Sequence, residues 1–441
     1  MNYSRTLKEE FTERNAWLKE RLDTVIPYLL ERENVDMWIV TGRENNEGPV
    51  LLTMLPQEFF GARRRNILIF VRDHDGKTHR FSISRPLTEM DDYYTSVWYK
   101  GKGQNWARYY EFMATRGKTL KVDLEEYEEE SEFECLARIV RTYDPQKIAL
   151  NFSDTFRYAD GLKHSEYLAI TAALGQDYAQ RIVSAEHLCL GWLERRLPEE
   201  IDYYESLVEF AQSIIQRAFS SDVITPGVTT NTEVRFFMMQ QGREHGAPPW
   251  FDATCWVRRK GESSLPDDCV VIQPGDILHC DFGITYMGLN TDIQEIAYIA
   301  QPGETKVPAE ILKAHRQANQ LQDIVVAKMA LGRSGNDVLM DSLEKARTAG
   351  LTPAVYTHPI GVHGHAAGAT IGRFDWQKPS TEGEYPIYPN TMYALELNVM
   401  APIDSWDGQV ILYGLETDIV IREDGNVHYF GKRQTEPHFV K

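Results

Sequence analysis

His279-Cys-Asp281-Phe-Gly-Ile-Thr-Tyr-Met-Gly-Leu-Asn-Thr-Asp292 is the stretch on which the reading of this chain turns. Upstream, Val270 with Val271 and Ile277 with Leu278 read as strands on either side of the turn Pro274-Gly275-Asp276. Downstream, Ile293–Ala300 reads as another strand. Asp281 therefore ends one strand and Asp292 begins the next, with Gly283 and Gly288 in the turn between them. In such a hairpin two carboxylates on one face converge on a point.

Aspartates are common in turns, so the pair gains weight only from residues further along the chain. Gly364-His365-Ala-Ala-Gly368 puts an imidazole in a Gly-rich segment, Glu396 lies inside the apolar run Met392–Met400, and Glu416 opens Glu416-Thr-Asp-Ile-Val-Ile421. A glutamate among Leu, Val and Ile is rarely buried unless a cation pairs with it. Taken singly, each position fits an ion-pair network or a turn cap. Taken together, two Asp, one His and two Glu are the donors a pair of divalent metals needs. His358 and His363 precede the ligand histidine, and His279 alternates onto the strand face of Asp281; His245 is a similar case. Among these, His363 is the candidate for a catalytic role.

The order Asp, Asp, Gly-His-x-x-Gly, Glu, Glu resembles the pita-bread metallopeptidases: prolidase, aminopeptidase P and methionine aminopeptidase, with creatinase as a metal-free relative. The resemblance implies an α/β (α+β) chain: a creatinase-like N-terminal domain over residues 1–190, then a pita-bread catalytic domain over 191–441, a helix pair and antiparallel sheet given twice. It implies that Asp281, Asp292, His365, Glu396 and Glu416 hold two divalent ions around a water or hydroxide. Manganese is the first expectation, with cobalt, zinc and iron compatible with the same ligands. Asp292 and Glu416 would bridge, Asp281 would chelate one ion, and His365 and Glu396 would bind the other, Glu396 also relaying a proton. The implied activity is hydrolysis of an amide bond in a small peptide, Xaa-Pro aminopeptidase or dipeptidase in type, by a homodimer.

The chain also departs from the family's pattern. Peptidases of this group place a His before the first Asp, where Ser264-Leu-Pro-Asp267 stands here. They carry another His seven residues after the ligand His, followed by an acidic residue; counted from His365, those places hold Gly372 and Arg373. Ile293-Gln-Glu295 replaces a Thr-Arg-Thr-like run. An intact metal set with altered surroundings is what a changed substrate would leave, so the alternatives are a metal-dependent hydrolase or lyase of a non-peptide C–N metabolite, or an inactive binding module. The aromatics Trp250, Phe251, Trp256, Phe374 and Trp376 flank the site segments as possible pocket walls.

Composition bounds the rest. With 441 residues, 42% hydrophobic and 25% charged, the chain has room for two or three domains and large cores. The net charge of −18 argues against nucleic acid and anionic membrane surfaces as partners. Part of that charge lies in Asp123–Glu134, read as a solvated helix face. Five scattered cysteines without a CxxC pair fit reduced thiols in a cytoplasm. Neither a membrane span nor, at Met1–Glu10, a signal peptide is expected. Helices are expected over 14–33, from Pro198, from a capping box at Thr230–Glu233 to about His245, over 308–331 and over 337–349.

Overall fold

A computed structural model describes residues 5–86, 88–118, 122–262 and 265–441. The opening Met1–Ser4 and the Ser264 of the first departure lie outside the described residues. The chain divides into two units, one over Thr6–Trp192 and one comprising Leu193–Lys441 with Arg5.

In the first unit, apolar runs with β-branched residues make a six-stranded mixed sheet. Its order is Thr95–Ser96, Thr78–Ile83, Arg65–Arg72, Met37–Arg43, Ile148–Leu150, Ile182–Ser184. The strand Met37–Arg43 is buried along nearly its whole length, which is why Met-Trp-Ile-Val reads as a continuous apolar run rather than an alternating one. Helix Leu7–Arg32 starts at a Thr6–Glu9 capping box and buries Trp17, Leu18, Leu22, Ile26, Leu29 and Leu30. The acidic run differs from expectation. Only Leu124–Glu126 forms a short 3₁₀ turn, and the helix begins later, at Glu132, under a Ser131–Glu134 capping box. Adjacent like charges at helical spacing oppose a helix through Glu125–Glu130, whereas Leu136, Ile139 and Val140 give the following segment a face to bury.

The second unit runs the same pattern twice. Helices Pro198–Ala218 and Asn231–Glu244 lead into the strands Thr254–Arg258, Ile277–Phe282 and Ile293–Ile299. Helices Ala309–Lys328 and Gly335–Thr348 lead into the strands from Pro353 to Tyr429. Pro198 occupies the first helical turn, Thr230 and Glu233 form the capping box, and Gly350 (φ +80°) follows the end of the fourth helix. Val270 and Val271 do not form a strand. Val271 makes a single bridge with Thr230, because the backbone here is tied to the start of helix Asn231–Glu244 instead.

Three sheets meet the site. The first has the order His438–Val440, Ile293–Ile299, Ile277–Phe282, Thr254–Arg258. The second pairs Pro353–Val355, Leu397–Ile403 and Gln409–Leu415; the third pairs His358–Ile360, Thr391–Ala394, Asp418–Ile421 and Val427–Tyr429. The chain passes from the third sheet to the second between Ala394 and Leu397, and back between Leu415 and Asp418. Between the two aspartates, Thr285–Tyr286 and Leu289–Asn290 form a tight hairpin whose turn residues Met287 (φ +53°) and Gly288 (φ +77°) are both left-handed, as a type I′ turn requires. No helix among the described residues is long and apolar enough to cross a membrane.

Candidate metal centre

Strand register brings the aspartates together. Ile277–Phe282 and Ile293–Ile299 are antiparallel with Phe282 opposite Ile293, so Asp281 and Asp292 sit at the same end of the ladder. Glu396 and Glu416 are not mid-strand. Each lies at one of the two places where the chain crosses between sheets, and these crossings are cross-linked by a hydrogen bond from Leu395 N to the Thr417 carbonyl. The break in pleat there aims both side chains at the aspartates. Glu416 is also tied to the first sheet through reciprocal 3.2 Å backbone bonds with Gln294.

His358, at the start of His358–Ile360, completes the cluster. Its Nε2 lies 3.8 Å from Asp292 Oδ2, 3.9 Å from Glu396 Oε2 and 3.6 Å from Glu416 Oε1. These separations exceed hydrogen-bond length but match donors spaced around a shared cation at about 2.0–2.2 Å from each. The other ring nitrogen, Nδ1, lies 2.9 Å from the Pro359 carbonyl, which can only accept. Nδ1 therefore carries the proton in the neutral ring, and Nε2 presents its lone pair to the carboxylates, the tautomer a metal ligand needs.

Donor atoms within 4.8 Å of one another fall into three groups: Asp281, Asp292 and Glu416; His358, Glu396 and Glu416; Asp292, His358 and His365. Asp292 and Glu416 are each shared between two of them. His365 is exposed; its ring meets His358 edge-on at 4.7 Å and Trp250 at 5.7 Å. His363 belongs to none of these groups among the described residues; its carbonyl accepts from Gly361 N. His245 Nδ1 lies 2.8 Å from the Gln241 carbonyl near the end of its helix, a structural place. Asp267 is exposed, and its carbonyl accepts from Asn231 Nδ2. Of the aromatics, Trp256 packs on His279, Phe374 meets Tyr356 edge-on, and Trp250 and Phe251 lie against each other.

Reading along the sequence misses two participants. Asp418 Oδ2 accepts from Asp292 N at 3.1 Å and lies 2.8 Å from the Tyr204 hydroxyl, which is also 2.7 Å from the Asn290 carbonyl. The spacing Glu416-x-Asp418 is a signal for it, since alternate residues share a face. Gln294 is the other: its Nε2 donates to Glu396 Oε1 at 2.5 Å and its Oε1 lies 2.8 Å from His279 Nε2.

The electrostatics are severe. Burial pushes the Asp281 carboxyl up to about 7 and those of Glu396 and Asp418 up to about 8. Asp292 and Glu416 are also raised well above the ordinary carboxylate range, by burial first and then by neighbouring carboxylates: Asp281, Glu396 and Asp418 act on Asp292, and Asp292, Glu396, Asp281 and Asp418 act on Glu416. Burial also depresses His279 to about 4, with Arg258 adding to the effect, so this histidine is neutral. No Lys or Arg among the described residues pairs with Asp281, Asp292, Glu396, Glu416 or Asp418. Asp281 Oδ1, Asp292 Oδ1, both Glu416 oxygens and Asp418 Oδ1 are buried without a hydrogen-bond donor. Two unit charges at about 4 Å repel by about 4 kcal/mol at an effective dielectric of about 20. Such a set holds its ionised form only around cations, so the residues present fit a pair of divalent ions.

The chain is similar to several known proteins. A sequence model of metallopeptidase family M24 matches residues 205–423. An uncharacterized peptidase of Bacillus subtilis (strain 168), YqhT, is 25% identical over 236 residues, 52% of this chain, and the match spans 60% of that relative's length. Among solved structures, the X-Pro aminopeptidase from Thermotoga maritima MSB8 aligns with a TM-score of 0.58 at 16% identity over 93% of this chain and 99% of its own. The Xaa-Pro dipeptidase from Bacillus anthracis aligns with a TM-score of 0.55 at 15% identity over 97% of this chain and 99% of its own. Dipeptidase PepE from Mycobacterium ulcerans gives 0.57 at 15% over 96% and 98%. At these identities the structural likeness is one of fold, and it is the pita-bread fold.

Proposed function

We propose, from the match of residues 205–423 to a metallopeptidase family M24 model, that this chain is a peptidase using two divalent ions to hydrolyse a peptide bond in a small substrate. The observation that carries the reading is the set of buried carboxylates with no Lys or Arg paired to them among the described residues, faced by the lone-pair nitrogen of His358 at 3.6–3.9 Å. In this reading Asp292 and Glu416, the two carboxylates common to two donor groups, would be shared between the ions; His358 is common to two groups as well. Asp281 would hold one ion, and His358 and Glu396 the other.

This reassigns the imidazole ligand that the resemblance laid on His365. Both His358 and His365 are followed three positions later by a glycine, Gly361 and Gly368, and only His365 is also preceded by one. With His358 as ligand, the residue seven positions later is His365 itself, so the second histidine expected of these peptidases is present rather than replaced by Gly372. The position after it, Ala366, remains non-acidic. His365, exposed beside Trp250, then serves the substrate rather than the ions.

Bound divalent ions acidify a shared water and polarise the substrate carbonyl. The chain's own contributions are local. Glu396 would accept a proton from the attacking water and pass it to the leaving amine. His365 donates toward the developing negative charge on the substrate. Trp250 and Trp256 wall the approach. Xaa-Pro peptides are the first substrates to try, since they are what the solved relatives of the same fold are named for.

The test combines elemental mass spectrometry of the purified chain with hydrolysis assays in added manganese on Xaa-Pro dipeptides, Xaa-Pro tripeptides and non-peptide amides. Two ions per chain with peptide cleavage supports the reading. Two ions with turnover of non-peptide amides alone would transfer the site to the other substrate class, which the Asp267 and Ile293–Glu295 departures favour. No ion after reconstitution overturns it.

A further inference from the structure

Gln294 occupies the centre of the carboxylate cluster without being one of its donors. It lies directly across the ladder from Asp281, two residues along the same strand face from Asp292, and it exchanges both backbone bonds with Glu416. Its side chain is 3% exposed, and its Nε2 donates to Glu396 Oε1 at 2.5 Å. One buried amide thus touches or adjoins all four acidic residues assigned to the ions.

We propose that Gln294, locked by His279, is a positioning residue that fixes which oxygen of Glu396 faces the metal centre; this rests on the two-ion reading above. The atoms argue it in sequence. Glu396 has two oxygens, and Gln294 holds Oε1, which leaves Oε2, the oxygen 3.9 Å from His358 Nε2, turned toward the centre. An ionised carboxylate only accepts, so the nitrogen end of the amide must face Glu396 and the oxygen end must face His279. His279 Nε2, 2.8 Å away, then donates to Gln294 Oε1 and prevents the amide from flipping.

His279 in turn is seated by a glycine. A Cβ at Gly414 would come within 2.8 Å of His279 Cε1 and 3.3 Å of Gln294 Oε1, so any larger residue there would displace both partners. Trp256 covers the other side of the ring, with centroids 5.1 Å apart. The choice of an amide also follows from charge. Lys or Arg at this place would neutralise Glu396 and compete with a cation. Asp or Glu would add to the repulsion. A neutral donor orients the carboxylate while leaving its charge for the ion.

The test is calorimetric titration of Mn²⁺ into the chelator-stripped full-length chain, beside thermal unfolding of the same metal-free samples. Gln294→Met, of similar length and without a donor, is expected to unfold within a few degrees of wild type and to bind one of its two Mn²⁺ about 10–100-fold more weakly. His279→Leu should give the same loss, the double variant no more than either single one, and His279→Gln, which restores a donor, should recover most of it. Wild-type affinity in Gln294→Met, or additive losses in the double variant, overturns the assignment. Should Gln294→Met fail to fold, His279→Leu against His279→Gln decides it: equal affinities overturn it, a loss only in the leucine variant supports it. A wild-type chain that binds no Mn²⁺ overturns the two-ion reading and this assignment together, whereas wild-type binding with unaffected variants overturns this one alone.

Discussion

Two buried acidic sites in this protein solve the same problem in opposite ways. In the unit Thr6–Trp192, Glu166 is 2% exposed and surrounded by donors: Arg65 bonds both its oxygens at 3.0–3.3 Å, Arg43 approaches to 3.5 Å, and the Thr41 hydroxyl donates at 2.8 Å. In the unit from Leu193, Asp281, Asp292, Glu396, Glu416 and Asp418 lie together with the His358 imidazole, the Gln294 carboxamide and the Tyr204 hydroxyl against them, and no Lys or Arg among the described residues pairs with them. A buried carboxylate with a guanidinium is a finished structural element. A cluster of them without cationic side chains is unfinished as protein, and its completion is a metal's task. Burial alone does not separate structure from function here; the presence or absence of an internal countercharge does.

That contrast is open to direct attack. The largest effect is expected from Asp292→Ala, which removes a residue common to two donor groups. It should abolish metal loading and reduce peptide hydrolysis by about 10³-fold or more, about 4 kcal/mol in barrier height. In the metal-free state the same substitution should raise the melting temperature, because it removes a repelling carboxylate. Glu166→Ala should do the reverse: lose about 3 kcal/mol of stability by stranding Arg65, with two ions per chain retained in elemental analysis. Stabilisation by both substitutions, or loss of metal from both, would erase the distinction.

Next in size is the separation of the two histidines. His358→Ala is expected to lose one ion per chain by mass spectrometry, whereas His365→Ala should keep both and lower kcat/KM by about 10²-fold. Metal loss in His365→Ala with full loading in His358→Ala would restore the assignment that the resemblance made.

The pH dependence follows with a definite sign. Asp281 is pushed up to about 7, and Glu396 and Asp418 to about 8, by burial, against about 4 in an unfolded chain. Between those limits the folded, metal-free protein binds more protons than the unfolded one. Its stability is therefore greatest below about pH 4–5 as far as these groups are concerned, and is lost as pH rises through 7 to 8. Denaturant titrations of the chelated protein should show that decline, and added Mn²⁺ should stabilise more at pH 8 than at pH 6 because binding displaces protons. The smallest effect is expected at Glu33 and His187, a part-exposed pair 3.3 Å apart in the first unit. His187→Ala should cost less than about 1 kcal/mol and leave metal content unchanged.

Much of this was legible in order along the chain. The hairpin carrying Asp281 and Asp292, the helix caps at Thr230 and Gly350, and Glu396 and Glu416 as intruders in apolar runs were all local signals. What misled was also local. The acidic run suggested a helix that like-charge repulsion prevents, and Val270–Val271 suggested a strand whose backbone bonds go to a helix start instead.

The sequence by itself determined which chemical groups are present and that the acidic ones stand where only a cation would keep them charged, because hydrophobic periodicity and burial cost are properties of neighbouring residues. It also offered two histidines seven residues apart, each followed three positions later by glycine, with no local means of choosing between them. The placing of His358 against the carboxylates, the switch between sheets that turns Glu396 and Glu416 inward, and the chain His279–Gln294–Glu396 come from tertiary structure alone. The reason is physical: coordination is set by distances between atoms on separate segments, and those distances exist only once register and sheet crossings bring residues 58, 66 and 102 positions apart to within 4 Å.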